Sequence, residues 1–130
     1  MAVNRLQPYL GDAIRSVLRQ SIPDFRFHIV ANNCGDDLWN YLNSFDDVRI
    51  VLHRTAIGQL AYNLNYGLDQ LDGGYVLRMD ADDVCLPERL QLTMDAVQES
   101  EQADVIVGGA YVINSLNARI GEMKVTVTLR

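Results

Sequence analysis

What most restricts the fold of this chain is the order in which two hydrophobic periods succeed one another. Leu10, Ala13, Ile14, Val17 and Leu18 recur at helical spacing, which predicts an amphipathic helix opened by Pro8 and running to about Gln20. After a break at residues 21–24, Phe25, Phe27 and Ile29 alternate with Arg26 and His28 and lead into Val30 and Ala31, the pattern of a strand. The exchange then repeats. Residues 32–35 read as a turn, Leu38, Tyr41, Leu42 and Phe45 as one face of a second helix, and residues 48–52 as a second strand. A loop over 54–58 leads to a third helix, residues 59–71, with Leu60, Ala61, Leu64 and Leu68 on one face. Next come a turn at 72–74, a strand at 75–79, and a helix opened by Pro87 that carries Leu90, Met94 and Val97 to about Gln102. A strand at 104–107 follows, kinked by Gly108 and Gly109 and continued by 110–113; residues 114–117 read as a hairpin turn, with a returning strand from Ile120 or over 125–129.

Alternation of this kind predicts the α/β class: a Rossmann-like, mostly parallel sheet with helices on both faces. A length of 130 residues predicts a single domain over residues 1–130. Only a stub, residues 1–3, precedes the first helix where such a sheet has a full strand, and an unpaired sheet edge predicts self-association.

The chemistry concentrates in residues 75–88. An apolar run, Tyr75, Val76, Leu77 and Met79, ends in Asp80, Asp82 and Asp83, and Pro87 then opens a helix. Ligands of open α/β sheets bind outside the carboxyl ends of the strands, which is where these acids fall. Oxygen donors of this type suit Mg²⁺ or Mn²⁺. The plainer alternative is a solvated acidic turn that caps the following helix. With 13 aspartates in 130 residues, an Asp-x-Asp triplet is expected by chance about once, so its position between strand and helix carries the weight.

Charge and composition exclude several classes. The net charge of −6, with no basic cluster, argues against a nucleic-acid partner and means that an anionic substrate needs a metal or local cations to be held. No apolar stretch reaches membrane-spanning length and no signal peptide is visible, so a cytoplasmic location is expected, with the cytoplasmic face of a membrane as the alternative for a longer protein. Cys34 and Cys85 fit no zinc spacing and read as reduced thiols. His28 and His53 lie in or beside apolar runs and read as structural rather than as ligands or bases. No Gly-x-Gly-x-x-Gly follows a strand, which excludes a dinucleotide-binding dehydrogenase.

Several patterns coincide with one family. These are Asn4 with Tyr9-Leu10 and Ala13-Ile14-x-Ser16-Val17-Leu18-x-Gln20, Asp24-Phe25 leading to Ile29-Val30, and Asn65-Tyr66-Gly67-Leu68. The most specific are Tyr75-x-x-Arg78-Met79-Asp80-Ala81-Asp82-Asp83 with Leu86-Pro87-Glu88-Arg89-Leu90, followed by Asp104-Val105-x-Val107-Gly108. In these the chain resembles family 2 glycosyltransferases, nucleotide-sugar-dependent inverting enzymes of the GT-A fold, along essentially its whole length. The form with Arg78-Met79 before the acids looks like enzymes that build bacterial surface polysaccharides.

The resemblance implies the donor-binding part of such an enzyme, truncated at both ends. It implies transfer of a sugar from a nucleotide diphosphate to the hydroxyl of a saccharide or lipid-linked acceptor. Asp82 would ligate Mn²⁺ or Mg²⁺ and Asp80 would reach the ribose and the metal, while Asn4, Asn32 and Arg54 would contact base and phosphates. Asp83 would be a cap or an outer support of the metal site, and Arg78 could simply pair with the acids. The catalytic base is expected beyond Arg130, because Glu122 is the one acid after Val112; the 130 residues alone are therefore expected not to transfer sugar. Two departures from the family pattern stand out. Asn32-Asn33-Cys34-Gly35 replaces an acidic turn that faces the base, which favours UDP or dTDP over GDP, since an amide both donates and accepts. The stretch from Gly58 to Gly67 is one residue longer than usual. The rival classes are a phospho-accepting receiver-like domain, which needs an acidic pair after its first strand and a lysine after its last, and a non-catalytic binding module.

Overall fold

The computed structural model describes residues 1–100 and 104–125. They form two compact units, Met1–Arg89 and Leu90–Arg130. The first contains β1 (Ala2–Val3), α1 (Leu10–Leu18), β2 (Phe27–Asn32), α2 (Asp36–Asn43), β3 (Ile50–Thr55) and α3 (Leu60–Leu68). Helix α4 (Arg89–Glu99) begins at the boundary, and the second unit adds the antiparallel hairpin β4 (Ala110–Ile113) and β5 (Arg119–Met123).

The first unit is the expected α/β arrangement. Its strands are parallel in the order β1-β2-β3, with Val3 opposite Ala31 and Asn32 opposite Thr55. Alternate residues of β2, Phe27, Ile29 and Ala31, join Leu10, Ala13, Ile14 and Val17 of α1 and Leu38 and Leu42 of α2 in one core. Truncating a fully buried member such as Ile14 or Leu38 to alanine is expected to destabilise by about 2–5 kcal/mol. The opposite face of the sheet takes α3: Gly67 lies against Val30, and Tyr66 meets the His53 ring edge-on at 5.8 Å. No helix among the described residues is long and apolar enough to cross a membrane.

Four expectations are corrected. The second strand begins at Ile50 rather than Val48, which is 92% exposed. A local turn holds that segment back, with the Ile50 N–H on the Asp47 carbonyl and Arg49 gripping the Asp47 carboxylate through its backbone N–H, Nε and Nη2. Residues 75–79 form no strand: Tyr75, Val76 and Leu77 are exposed while Met79 and Ala81 enter the core. A ladder needs a partner edge, and β1 offers two residues. Residues 104–107 likewise run without a ladder, because β4 and β5 pair with each other. In α3 the buried residue is Asn63, while Leu60, Ala61 and Leu68 are exposed, since the sheet face beneath carries His53, Thr55 and Asn32 and calls for a hydrogen-bonding partner.

The terminal hairpin turns where expected. Asn114 Oδ1 accepts the N–H groups of Leu116 and Ala118, and Asn117 adopts φ +60°, a conformation asparagine tolerates. The fourth helix, expected to end near Gln102, ends at Glu99, and the alternative returning strand at 125–129 falls outside the described residues beyond Val125.

Candidate functional site

The carboxyl ends of β1 and β2 lie side by side, and the structure brings Asn4 and Asn32 together there. Asn32 is buried and donates Nδ2–H to the Val3 carbonyl at 3.0 Å, tying the two strand ends. Its neighbour Asn33 turns the chain away from the sheet at φ +43° while its backbone N–H donates to the Thr55 carbonyl at 2.8 Å. Between these ends and the loop before α3 lies a cleft of about 230 Å³, lined by both residues of β1 and by Asn4, Gln7, Asn32, Gly58 and Leu60.

That loop is held by one side chain that sequence reasoning missed. Asn63 is wholly buried; its Nδ2 donates to the carbonyls of Ile57 (2.6 Å) and Gln59 (2.7 Å), and its Oδ1 accepts the Thr55 hydroxyl. Gly58, on the cleft wall, sits between the two carbonyls so fixed. The available signal was a lone amide three residues after Leu60 and four before Gly67, on a face otherwise read as apolar.

The acids lie on a turn. Met79, Ala81 and Cys85 are buried, Asp80 is half-buried, and Asp82 and Asp83 are exposed. The Asp83 N–H approaches the Asp80 carbonyl at 3.5 Å. Arg78 grips both carboxylate oxygens of Asp80 at 2.8 and 3.0 Å, the pairing role weighed for it from sequence. The Asp82 carboxylate has no hydrogen bond or ion pair among the described residues. Neither acid lines the cleft. Burial lowers the pKa of the Met1 amino group to about 6, and the Asp80 charge acts against that shift.

No cluster of three or more His, Cys, Asp or Glu among the described residues could cage a metal alone. Two carboxylates on one solvent-facing turn nevertheless fit Mg²⁺ or Mn²⁺, which take one or two protein carboxylates and complete their shell with phosphate oxygens and water. The donor set therefore suits an ion that arrives with a phosphorylated ligand.

Arg54 stands apart from both groups. Its Nη2 binds Asp36 at 2.8 Å and the Cys34 carbonyl at 3.1 Å, and its guanidinium lies 5.4 Å from the centre of the Trp39 ring. His28 and His53 are brought together: Nδ1 of the first and Nε2 of the second are 3.0 Å apart, with the rings stacked at 5.2 Å. Burial lowers both pKa values, which favours the neutral form of each ring. Cys34 is half-buried and Cys85 buried, and both are free thiols.

The family model for glycosyl transferase family 2 matches residues 1–126. The chain is 32% identical over 128 residues to the O-antigen biosynthesis glycosyltransferase WbnJ of Escherichia coli, an alignment covering 95% of this chain and 50% of that protein. It is 27% identical over 106 residues to glycosyltransferase GlyG of Streptococcus pneumoniae, covering 79% of this chain and 35% of that one. To the putative glycosyltransferase EpsE of Bacillus subtilis it is 23% identical over 124 residues, covering 92% and 44%. The chain thus spans half the length, or less, of these relatives.

Proposed function

The chain belongs to glycosyl transferase family 2, and from that premise we propose that its cleft and acidic turn hold a nucleotide diphosphate sugar, with the base in the cleft and the diphosphate at the turn. The observation that carries this reading is the pairing of Asn4 and Asn32 at two adjacent strand ends, on a cleft whose wall is fixed by a buried asparagine. The whole protein then transfers the sugar, with inversion, to a saccharide or lipid-linked acceptor in surface polysaccharide synthesis, working in the cytoplasm or at the inner face of its membrane.

The roles follow from the chemistry of each side chain. Asn32 has spent one N–H on Val3, which leaves its Oδ1 and second N–H for the base. An acceptor beside a donor matches N3–H and a carbonyl of uracil or thymine, so UDP or dTDP sugars are the donors. Asn4, exposed on the same cleft, contacts the base or ribose. Asp82, which has no competing partner among the described residues, and Asp80 hold Mn²⁺ or Mg²⁺. Bound there, the ion supplies Lewis-acid stabilisation of the diphosphate leaving group. Arg54 reaches a phosphate by giving up Asp36; both groups are exposed, and such pairs are worth about 0–1 kcal/mol, so a doubly charged ligand competes well.

The acceptor-activating base is not among these residues. Glu122, the one acid after Val112, is exposed and held by Arg119 at 2.7 Å. General-base catalysis contributes about 10²–10⁴-fold, so the 130 residues by themselves bind donor and at most hydrolyse it slowly. The edge of β1, unpaired among the described residues, favours self-association of such a chain.

The test is titration of UDP, dTDP and GDP with and without Mn²⁺, on the chain and on Asp82→Asn. UDP and dTDP should bind more tightly than GDP, only with the ion, and not to the variant. Equal UDP affinity in excess chelator, or in Asp82→Asn, would sink the reading.

A further inference from the structure

We propose that Ser16 and Gln20 are positioning residues for the acidic turn, fastening it to the first helix; the inference rests on the donor-binding role given to that turn above. Residues 78–87 have no strand ladder, so something else must fix the acids. Three successive residues on their carboxyl-terminal side are tied to α1 and the residues just after it. The buried Ser16 hydroxyl donates to the Ala13 carbonyl at 2.7 Å and accepts the Cys85 N–H at 2.9 Å. Gln20 is also buried, and its Nε2 donates to the Ser16 carbonyl at 3.1 Å and to the Leu86 carbonyl at 2.7 Å. The Ser21 N–H donates to the Pro87 carbonyl at 2.9 Å.

The near side of the turn is held by Arg89, just past the fastened segment. Arg89 donates through Nη2 to the Arg78 carbonyl at 3.2 Å, and its Nη1 lies 3.1 Å from the Cys85 sulfur and 3.5 Å from that of Met79. The free span between fastened points is therefore 80–84, and it contains all three acids. Within it the acids have little of their own to hold them, since the Asp82 carboxylate has no hydrogen bond or ion pair among the described residues and Asp80 pairs with an exposed arginine.

The residue types fit this role better than packing. Ser16 lies on the buried face of α1 with Ala13 and Val17, and Gln20 follows two residues after the helix, where alanine and leucine would fill the space without burying polar atoms. Each buried polar atom is spent on a hydrogen bond, and two of those bonds end on the segment 85–86. A carboxylate pair that must meet a metal and two phosphates needs its supporting shell fixed closely, because small displacements of binding groups cost large factors in function.

The experiment is hydrogen–deuterium exchange of the full 130-residue chain, as wild type, Ser16→Ala, Gln20→Met and Ser16→Thr, followed by UDP titration with and without Mn²⁺. Ser16→Ala and Gln20→Met should speed exchange across residues 79–87 by about tenfold, with peptides of β2 and β3 unchanged, because one or two fastening bonds are lost locally. UDP affinity in Mn²⁺ should fall by about tenfold while affinity in chelator stays the same. Ser16→Thr, which keeps the hydroxyl, should restore both. Unchanged exchange across 79–87 in Ser16→Ala and Gln20→Met overturns the proposal, as does an equal rise throughout the unit, which would make these residues general supports of the fold. Exchange is read without ligand, so a wild type that binds no nucleotide overturns the donor reading while the anchor is still decided.

Discussion

Replacing Asn63 by alanine removes one side chain and three hydrogen bonds. The amide ties the Thr55 hydroxyl, the Ile57 carbonyl and the Gln59 carbonyl together from a wholly buried position. At a net 0.5–1.5 kcal/mol each, the three bonds amount to roughly 2–4 kcal/mol. The penalty for orphaned partners is limited: Gln59 keeps the backbone N–H of residue 63 at 3.1 Å, Ile57 lies on an exposed loop open to water, and the threonine hydroxyl can rotate. A loss of about 3 kcal/mol is therefore expected, a large share of the 5–15 kcal/mol typical of a domain. It should lower Tm by roughly 10–15 °C. Asn63→Asp separates donors from acceptor. It keeps an oxygen for Thr55 but sets a carboxylate against two carbonyls, so at neutral pH it should melt no higher than the alanine variant. Burial raises that carboxyl's pKa in the folded state. The folded chain then binds the proton more tightly than the unfolded one, and the aspartate variant should recover relative to wild type as pH falls. Thermal melts at pH 7 and pH 5 measure both effects. An alanine variant within about 3 °C of wild type would refute the assigned role, since even two of the three bonds should shift the midpoint further.

Two further outcomes test other parts of the molecule. Burial lowers the pKa of both His28 and His53 below their ordinary value of 6.5, the Met1 amino group adds to the shift at both rings and Arg26 adds to it at His28, while Asp72 opposes it at His28 and the Tyr66 ring packs edge-on against His53. The unfolded chain therefore takes up protons first on acidification. The contribution of the pair is complete above pH 6.5 and is lost as pH falls through the folded pKa values, so His53→Gln should flatten the fall of Tm between pH 7.5 and 5.5; an unaltered slope counts against the pair. At Gly67, inside α3, an added Cβ would meet Val30 at 3.5 Å, an ordinary contact. Gly67→Ala should therefore stabilise by about 0.5–1 kcal/mol through helix propensity, and a lower Tm would show that α3 sits closer to β2 than described.

The sequence was most legible where periodicity and partner agree. The apolar face of α1, Leu10, Ala13, Ile14 and Val17, could be read directly because the β2 residues it meets, Phe27, Ile29 and Ala31, are apolar at the strand period. On the other side of the sheet the same logic selects the wrong residues of α3. Leu60, Ala61 and Leu68 recur at helical spacing, yet the sheet there presents His53 and Thr55, so the inward position belongs to Asn63. A helix on its own does not reveal that its partner surface is polar. The strand expected at 75–79 failed for a different reason. Tyr75, Val76 and Leu77 have the composition of a strand, but a strand exists only against an edge, and β1 supplies two residues of one.

The site divides along the same line. The acids were legible because an apolar run gives way to three carboxylates within a few residues. That argument needs no tertiary information. What holds them could not be read locally, since Ser16 and Cys85 are 69 residues apart and Gln20 and Leu86 are 66 apart. A buried serine or glutamine signals that some polar partner exists, because the alternative is an unsatisfied group costing about 1–3 kcal/mol. It does not say which segment supplies that partner. The same reasoning separates Arg54 from the asparagines. Its place near the end of β3 follows from the strand pattern, but Arg54 lies opposite Ala31, one step before the Asn32–Thr55 pair, and so falls on the other face of the sheet. There it meets Asp36 and Trp39 rather than the cleft, so an arginine that sequence position alone assigns to phosphate must first leave the acid it already holds.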